Sequence, residues 1–281
     1  MKSLRKVTVA KMNIPAKIFF ILYVSLVMIP IVLSVLNSFK SAKSIQMSFL
    51  VFNAKIFTLE GYKTAMSMLR FFEGLRNNII IMAISIALTV IFGSLIGYVI
   101  AVLNTKLLRG AYVLAILLIC IPIHAIMFQL IAVLNTIHLL NNYLGTSLIF
   151  ASLSLPVAVF LYTGFMRTLP KELCEAAIVE GCGVFRTYLS IYFPLMKSIT
   201  AALIILRGTF IWNDLLVSLI TISDSTKTML VPRMYGFNSS TATRWNLVFA
   251  SSVLISIPVI TLYVFLQKAF IRGLVAGAVK G

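Results

Sequence analysis

Six predominantly apolar runs, each long enough for a bilayer, constrain this chain more than any single motif does. Read in windows of about 19 residues, they cover 18–36, 78–103, 111–134, 147–166, 199–221 and 246–267. A helix rising about 1.5 Å per residue needs about 20 residues to cross a hydrocarbon core of about 30 Å. Helix is the form that satisfies its own backbone within one segment, as lipid requires. Membrane strands would alternate apolar and polar with period two. These runs are apolar all round, so the sequence predicts an all-α membrane protein with six transmembrane helices in a single domain over residues 1–281.

Composition agrees with a lipid solvent. Sixty per cent of residues are apolar and 11% charged, where soluble proteins carry about 25% charged residues. A net charge of +17 raises nucleic acid as a partner. The basic residues are scattered over loops and form no stripe, so no nucleic acid is expected. Orientation follows from Lys and Arg. With a cytoplasmic N-terminus, the inside segments 1–17, 104–110, 167–198 and 268–281 carry 14 basic residues, against nine outside. Both termini inside is the self-consistent reading. No small-residue cleavage site follows the first run, so an uncleaved first helix is expected.

Signals for site chemistry are sparse. The three cysteines, Cys120, Cys174 and Cys182, are odd in number and give no disulfide framework. His124 and His138 stand alone, and no metal-spaced pair occurs, so no metal and no catalytic residues are expected. Pro30, Pro122, Pro156 and Pro258 fall within runs, where each is expected to bend its helix. The first external loop, 37–77, contains "EGYKTAMSMLRFFEGLRN", which reads as an interfacial segment.

The fifth run holds one base, Arg207, and one acid, Asp214. They are about two helical turns apart on one face. One reading makes Arg207, Trp212, Asn213 and Asp214 a polar translocation pathway or a tie to a partner subunit. The other places Asp214 near the external interface, with Arg207 reaching inward on its long stem.

The remaining anomaly is "PKELCEAAIVEGCGVFRTYLSIYFP", residues 170–194. Three of the chain's seven acids, Glu172, Glu175 and Glu180, lie within it. Proline is tolerated in a first helical turn, and acids suit the positive helix start. Gly181 and Gly183 supply the backbone freedom to end the helix and turn back. The sequence predicts a short helix, a turn and a second helix on the cytoplasmic surface. Small alanines there let another protein approach closely, with a carboxylate free to pair with its Arg or Lys.

Glu175-Ala176-Ala177, then Gly181, Ile191 and Pro194 at their fixed spacing, resemble the EAA loop of ABC-importer permeases. Phe193 stands where that family usually has Leu, and Glu180 where it often has Asp. "WNDLLVSLI" from Trp212 resembles the fifth-span signature of carbohydrate permeases. The tail "GLVAGAVKG" from Gly273 is similar to that of the smaller, G-type subunit of maltose-type importers.

The resemblance implies a type I importer permease fold and a carbohydrate substrate, an oligosaccharide. It implies that Glu175, Ala176, Ala177 and Gly181 dock into a separate ATPase subunit, supported by Glu172, Glu180, Ile191 and Pro194. It assigns Gly277, Ala278, Val279, Lys280 and Gly281 to a second contact with the ATPase. Partners would be a larger second permease, two ATPase copies holding ATP and Mg, and an extracellular or periplasmic solute-binding protein. The setting would be a bacterial or archaeal inner membrane. This chain has no G-x-x-x-x-G-K-[ST] phosphate loop, so it is expected to bind no nucleotide and to be no enzyme. A stand-alone secondary carrier using the polar fifth span is the competing reading. Such carriers usually bury several acids or histidines as relays, and this chain offers one.

Overall fold

The computed structural model describes residues 14–51, 53, 56–103, 105–170, 172–237 and 244–278. Among the described residues there is no β-strand, only an isolated bridge between Lys40 and Phe57. The helices in chain order are α1 (Ile14–Ser38), α2 (Ala42–Met47), α3 (Glu60–Met68), α4 (Phe71–Leu103), α5 (Lys106–Ile119), α6 (Ile123–Thr136) and α7 (Tyr143–Met166). They continue as α8 (Glu172–Val179), α9 (Val184–Thr187), a π-helical turn (Tyr188–Tyr192), α10 (Phe193–Leu195), α11 (Lys197–Trp212), α12 (Leu216–Thr221), α13 (Leu230–Tyr235) and α14 (Trp245–Ala278).

Among the described residues four helices are long and apolar enough to cross a membrane by themselves: α1, α4, α7 and the 245–268 part of α14. Two further crossings would each be a bent pair, α5 with α6 at 105° and the 184–195 segment with α11 at 71°. The single helix expected over 111–134 is therefore two helices. Pro122 lacks an amide hydrogen and drives Ile121 out of the helical region, so α5 stops at Ile119. The helix expected over 199–221 also stops early, at Trp212, and resumes as α12 after three residues. Pro30, Pro156 and Pro258 do not break their helices, since each lies inside a continuous one.

The chain forms two compact units. The smaller takes Met1–Ala65 and Arg244–Val253. In it, Ser38 and Tyr62 share a hydroxyl hydrogen bond of 2.6 Å, and Phe39 stacks on Phe57 at 4.8 Å. Lys40 is fully buried and donates to the carbonyls of Ser48 and Phe49 at 2.9 and 3.0 Å. Burial holds its pKa below the usual lysine value.

The larger unit takes Met66–Thr243 and Leu254–Gly281. Its spine is α4 against α7. A Cβ on Gly93 would lie 2.5 Å from the Cβ of Ala158, and one on Gly97 would lie 2.8 Å from the Cβ of Tyr162. Small residues four apart let two helices approach closely where lipid removes the hydrophobic drive. Thr163 and Ser147 add hydrogen bonds to the Gly97 and Ile81 carbonyls across the same seam. The segment 222–237 is tied to the start of α4 by Arg233, whose guanidinium donates to Glu73 and to the carbonyls of Leu69, Ser225 and Thr228. Arg70 also pairs with Glu73. In the preceding turn, hydrogen bonds from Thr226 hold the Asp224 carboxyl below its usual pKa.

Candidate functional site

Two irregular segments carry the residues singled out from the sequence. The first follows α7. The helix begun after Pro170 is α8, with Glu172 and Glu175 in its first turn. It ends at Gly181, whose φ of +76° is the left-handed conformation that only glycine adopts without penalty. The Cys182 amide donates back to the Ala177 carbonyl at 2.9 Å, closing the helix with a six-to-one bond. Glu172, Glu175, Glu180 and Gly181 are exposed, as are Val179, Val184 and Phe185, with Val179 at 87%. Glu172, Glu175 and Val179 share one face by three- and four-residue spacing. Among the described residues none of the three carboxylates has a hydrogen bond or ion pair. Ala177 faces inward and is 2% exposed.

The return stretch is anchored firmly. Tyr98 on α4 donates to the Val184 carbonyl at 3.0 Å, and Ser94 meets the Tyr188 hydroxyl at 2.7 Å. The Tyr188 and Tyr192 rings pack 5.3 and 5.0 Å from the Tyr98 ring. They join a core that includes Ala158, Tyr162, Met166 and Met196. The π-helical turn precedes Pro194, which cannot donate a hydrogen bond and crowds the carbonyl four residues back. Widening the ladder there lets the Phe193 amide reach the Tyr188 carbonyl. Ile191 is half-buried and Pro194 exposed.

The second segment is the gap between α11 and α12, where "WND" falls. Trp212 is buried and its indole nitrogen donates to the Ile255 carbonyl at 3.1 Å. Asn78 bridges this gap to α13, reaching the Trp212 carbonyl at 3.5 Å and accepting from the Leu230 amide at 2.8 Å. Asp214 accepts from the amide and hydroxyl of Ser218 at 3.0 and 3.3 Å, capping α12. Asn213 alone is exposed, donating to the Thr209 carbonyl.

Arg207 and Asp214 do not meet. Arg207 donates to the Ser154 hydroxyl at 2.9 Å and to the Leu153 carbonyl at 3.4 Å, both on α7, and lies 3.9 Å over the Phe210 ring. Of the tail, Gly277 and Ala278 continue α14, while Val279, Lys280 and Gly281 lie outside the described residues. Among the described residues no cluster of His, Cys, Asp or Glu could hold a metal.

The tyrosine anchor on α4, the Asn78 bridge and the glycine seam went unnoticed in the sequence. The spacing of Gly93 and Gly97 was the available signal for the seam.

An all-helical chain with several bilayer-length helices, two bent helix pairs and an exposed acidic helix between two of them has the construction of a polytopic permease. Residues 90–275 match the family of binding-protein-dependent transport system inner membrane components, and the chain belongs to that family. It is 38% identical over 206 residues to a melibiose/raffinose/stachyose import permease protein of Bacillus subtilis, covering 73% of this chain and 75% of that one. It is 31% identical over 251 residues to a probable starch degradation products transport system permease protein of Thermoanaerobacterium thermosulfurigenes, covering 89% and 91%. Its fold is similar to that of a bacterial ABC transporter chain involved in import of the acidic polysaccharide alginate, with a TM-score of 0.70 at 18% identity, covering 92% of this chain and 99% of that one. The chain is a multi-pass membrane transport subunit and not an enzyme; ATP hydrolysis falls to a partner.

Proposed function

We propose that this chain is the smaller, G-type permease of an ATP-driven oligosaccharide importer, forming half of the translocation pathway. The saccharide reading is supported by relatives named for melibiose, raffinose, stachyose and starch products. Six crossings with both termini in the cytoplasm, in a bacterial or archaeal inner membrane, complete the topology. A larger permease, two ATPase copies carrying ATP and Mg, and a solute-binding protein complete the assembly.

The observation that carries the reading is α8. Exposed Val179 and Phe185 beside carboxylates with no partner among the described residues suit a socket on another protein with an apolar floor and basic rim. Glu172, Glu175 and Glu180 would meet basic groups there. Ile191 and Pro194 shape the return stretch, and the tail from Gly277 to Gly281 makes a second contact with the ATPase. Ala176 lies on α8 with them, whereas Ala177 supports the helix from beneath. Because Tyr98, Tyr188 and Ser94 bond this loop to α4, a displacement of α8 is passed to the α4–α7 pair as rigid motion.

Reconstitution tests the proposal. Proteoliposomes holding this chain with its second permease and ATPase should take up labelled oligosaccharide only with ATP and binding protein present. Uptake by this chain alone, without ATP, would instead establish a secondary carrier.

A further inference from the structure

A pocket of about 340 Å³ opens among the α5–α6 elbow, α7 and α11, with Ile121, Ser152, Pro156, Arg207 and Phe210 in its wall. The Arg207 head binds Ser154, which lies eleven residues from the first residue of α7 and twelve from its last. The guanidinium is therefore held near the middle of a crossing. It has five N–H donors, and among the described residues only its Nε and one terminal nitrogen have partners. Neither partner is charged. The Phe210 ring offers a weak cation–π contact. Asp214, the other ionisable residue of the fifth run, is turned to Ser218. Glu73 is taken by Arg70 and Arg233.

A lone cation at this depth is expensive unless water or a counter-charge reaches it. Arg207 lines the pocket, so the site is built with a fixed positive charge and space beside it. We propose that the pocket receives an acidic group, carboxylate or phosphate ester, carried by the transported saccharide, with Arg207 as its counter-charge. The inference rests on the chain being a saccharide permease and names the class of saccharide. Lipid phosphates do not suit the site, because headgroups lie about 15 Å away at the bilayer surface. Ligand pockets run to about 300–1,000 Å³, and this volume suits a sugar ring bearing an acid. A planar fork also suits two oxyanion oxygens, which gives Arg an advantage over Lys in orienting the group.

The test uses the complete permease–ATPase complex in nanodiscs and two probes, a trisaccharide ending in glucuronic acid and its glucose-ended counterpart. Binding is measured by equilibrium dialysis, and uptake in proteoliposomes with binding protein. The wild type should hold the acidic probe at least about tenfold more tightly than the neutral one. Arg207→Met should erase that preference and Arg207→Lys should keep part of it, with both variant complexes intact by size exclusion. Equal binding of the two probes by the wild type overturns the inference, as does no binding of the acidic probe. A variant that weakens both probes alike, or separates the two permeases, overturns it in favour of a structural tie. ATP-driven uptake of either saccharide preserves the permease reading when the anion site fails; absence of uptake for every saccharide tried refutes the permease reading itself.

Discussion

The loop after α7 and the gap between α11 and α12 are both short breaks in apolar helix, and both carry acids. They differ in where their polar groups are spent. In the gap, Trp212, Asp214 and the nearby Asn78 are committed to carbonyls, amides and hydroxyls of this same chain. In the loop, the backbone is organised by Gly181 and the tyrosine anchors, yet Glu172, Glu175 and Glu180 are exposed with no partner among the described residues. A break whose side chains turn inward maintains a bend. A break with a rigid backbone and unspent charges is a surface prepared for something else.

The sharpest way to break the comparison is Glu175→Lys. Reversing a charge in a desolvated contact costs at least several kcal/mol, so ATP-driven uptake should fall about 100-fold or more and the ATPase should no longer copurify. Membrane insertion should be intact, and full ATPase retention would remove α8 from the interface. Trp212→Ala should act in the opposite manner, lowering the unfolding free energy in detergent by about 3–5 kcal/mol without touching ATPase capture. Selective loss of transport at undiminished stability would move Trp212 from scaffold to pathway.

Smaller effects refine the contrast. Gly181→Ala must hold a side chain in the left-handed region, at a cost of about 1–2 kcal/mol. Open space surrounds that position, so the expected result is fraying of α8 and a severalfold loss of coupling, read by hydrogen exchange at Cys182. Asp214→Ala should forfeit about 1 kcal/mol of capping, seen as faster exchange of the Ser218 amide. If that variant slows uptake while exchange is unaltered, Asp214 serves the solute and not the helix.

Local signals were the legible ones. The start of α8, its glycine stop and the return to helix could all be read from residues 170–194, because capping and turning are decided within a few positions. The all-helical class followed from run length alone. The elbow at Ile119–Ile123 was readable only as a proline inside a run, and the same signal at Pro30, Pro156 and Pro258 left continuous helices. What differs is whether neighbouring backbone absorbs the lost hydrogen bond, which is a property of tertiary surroundings. Likewise nothing local in the sequence marks the roles of Asn77 and Asn78. Their partners, the Thr226, Thr228 and Trp212 carbonyls, lie 134 or more residues away. The shared helix face expected for Arg207 and Asp214 is lost because the helix stops at Trp212 and Asp214 turns to cap α12.

The seam at Gly93 and Gly97 bears on how such a machine can move. Where the α4 backbone at these glycines rests against the Cβ atoms of Ala158 and Tyr162, sliding or twisting would drive the two helices into one another. Under the proposed importer function that pair travels as one plank, and the stroke is taken up at the bends Ile119–Ile123 and Met196, where the described helices fold sharply.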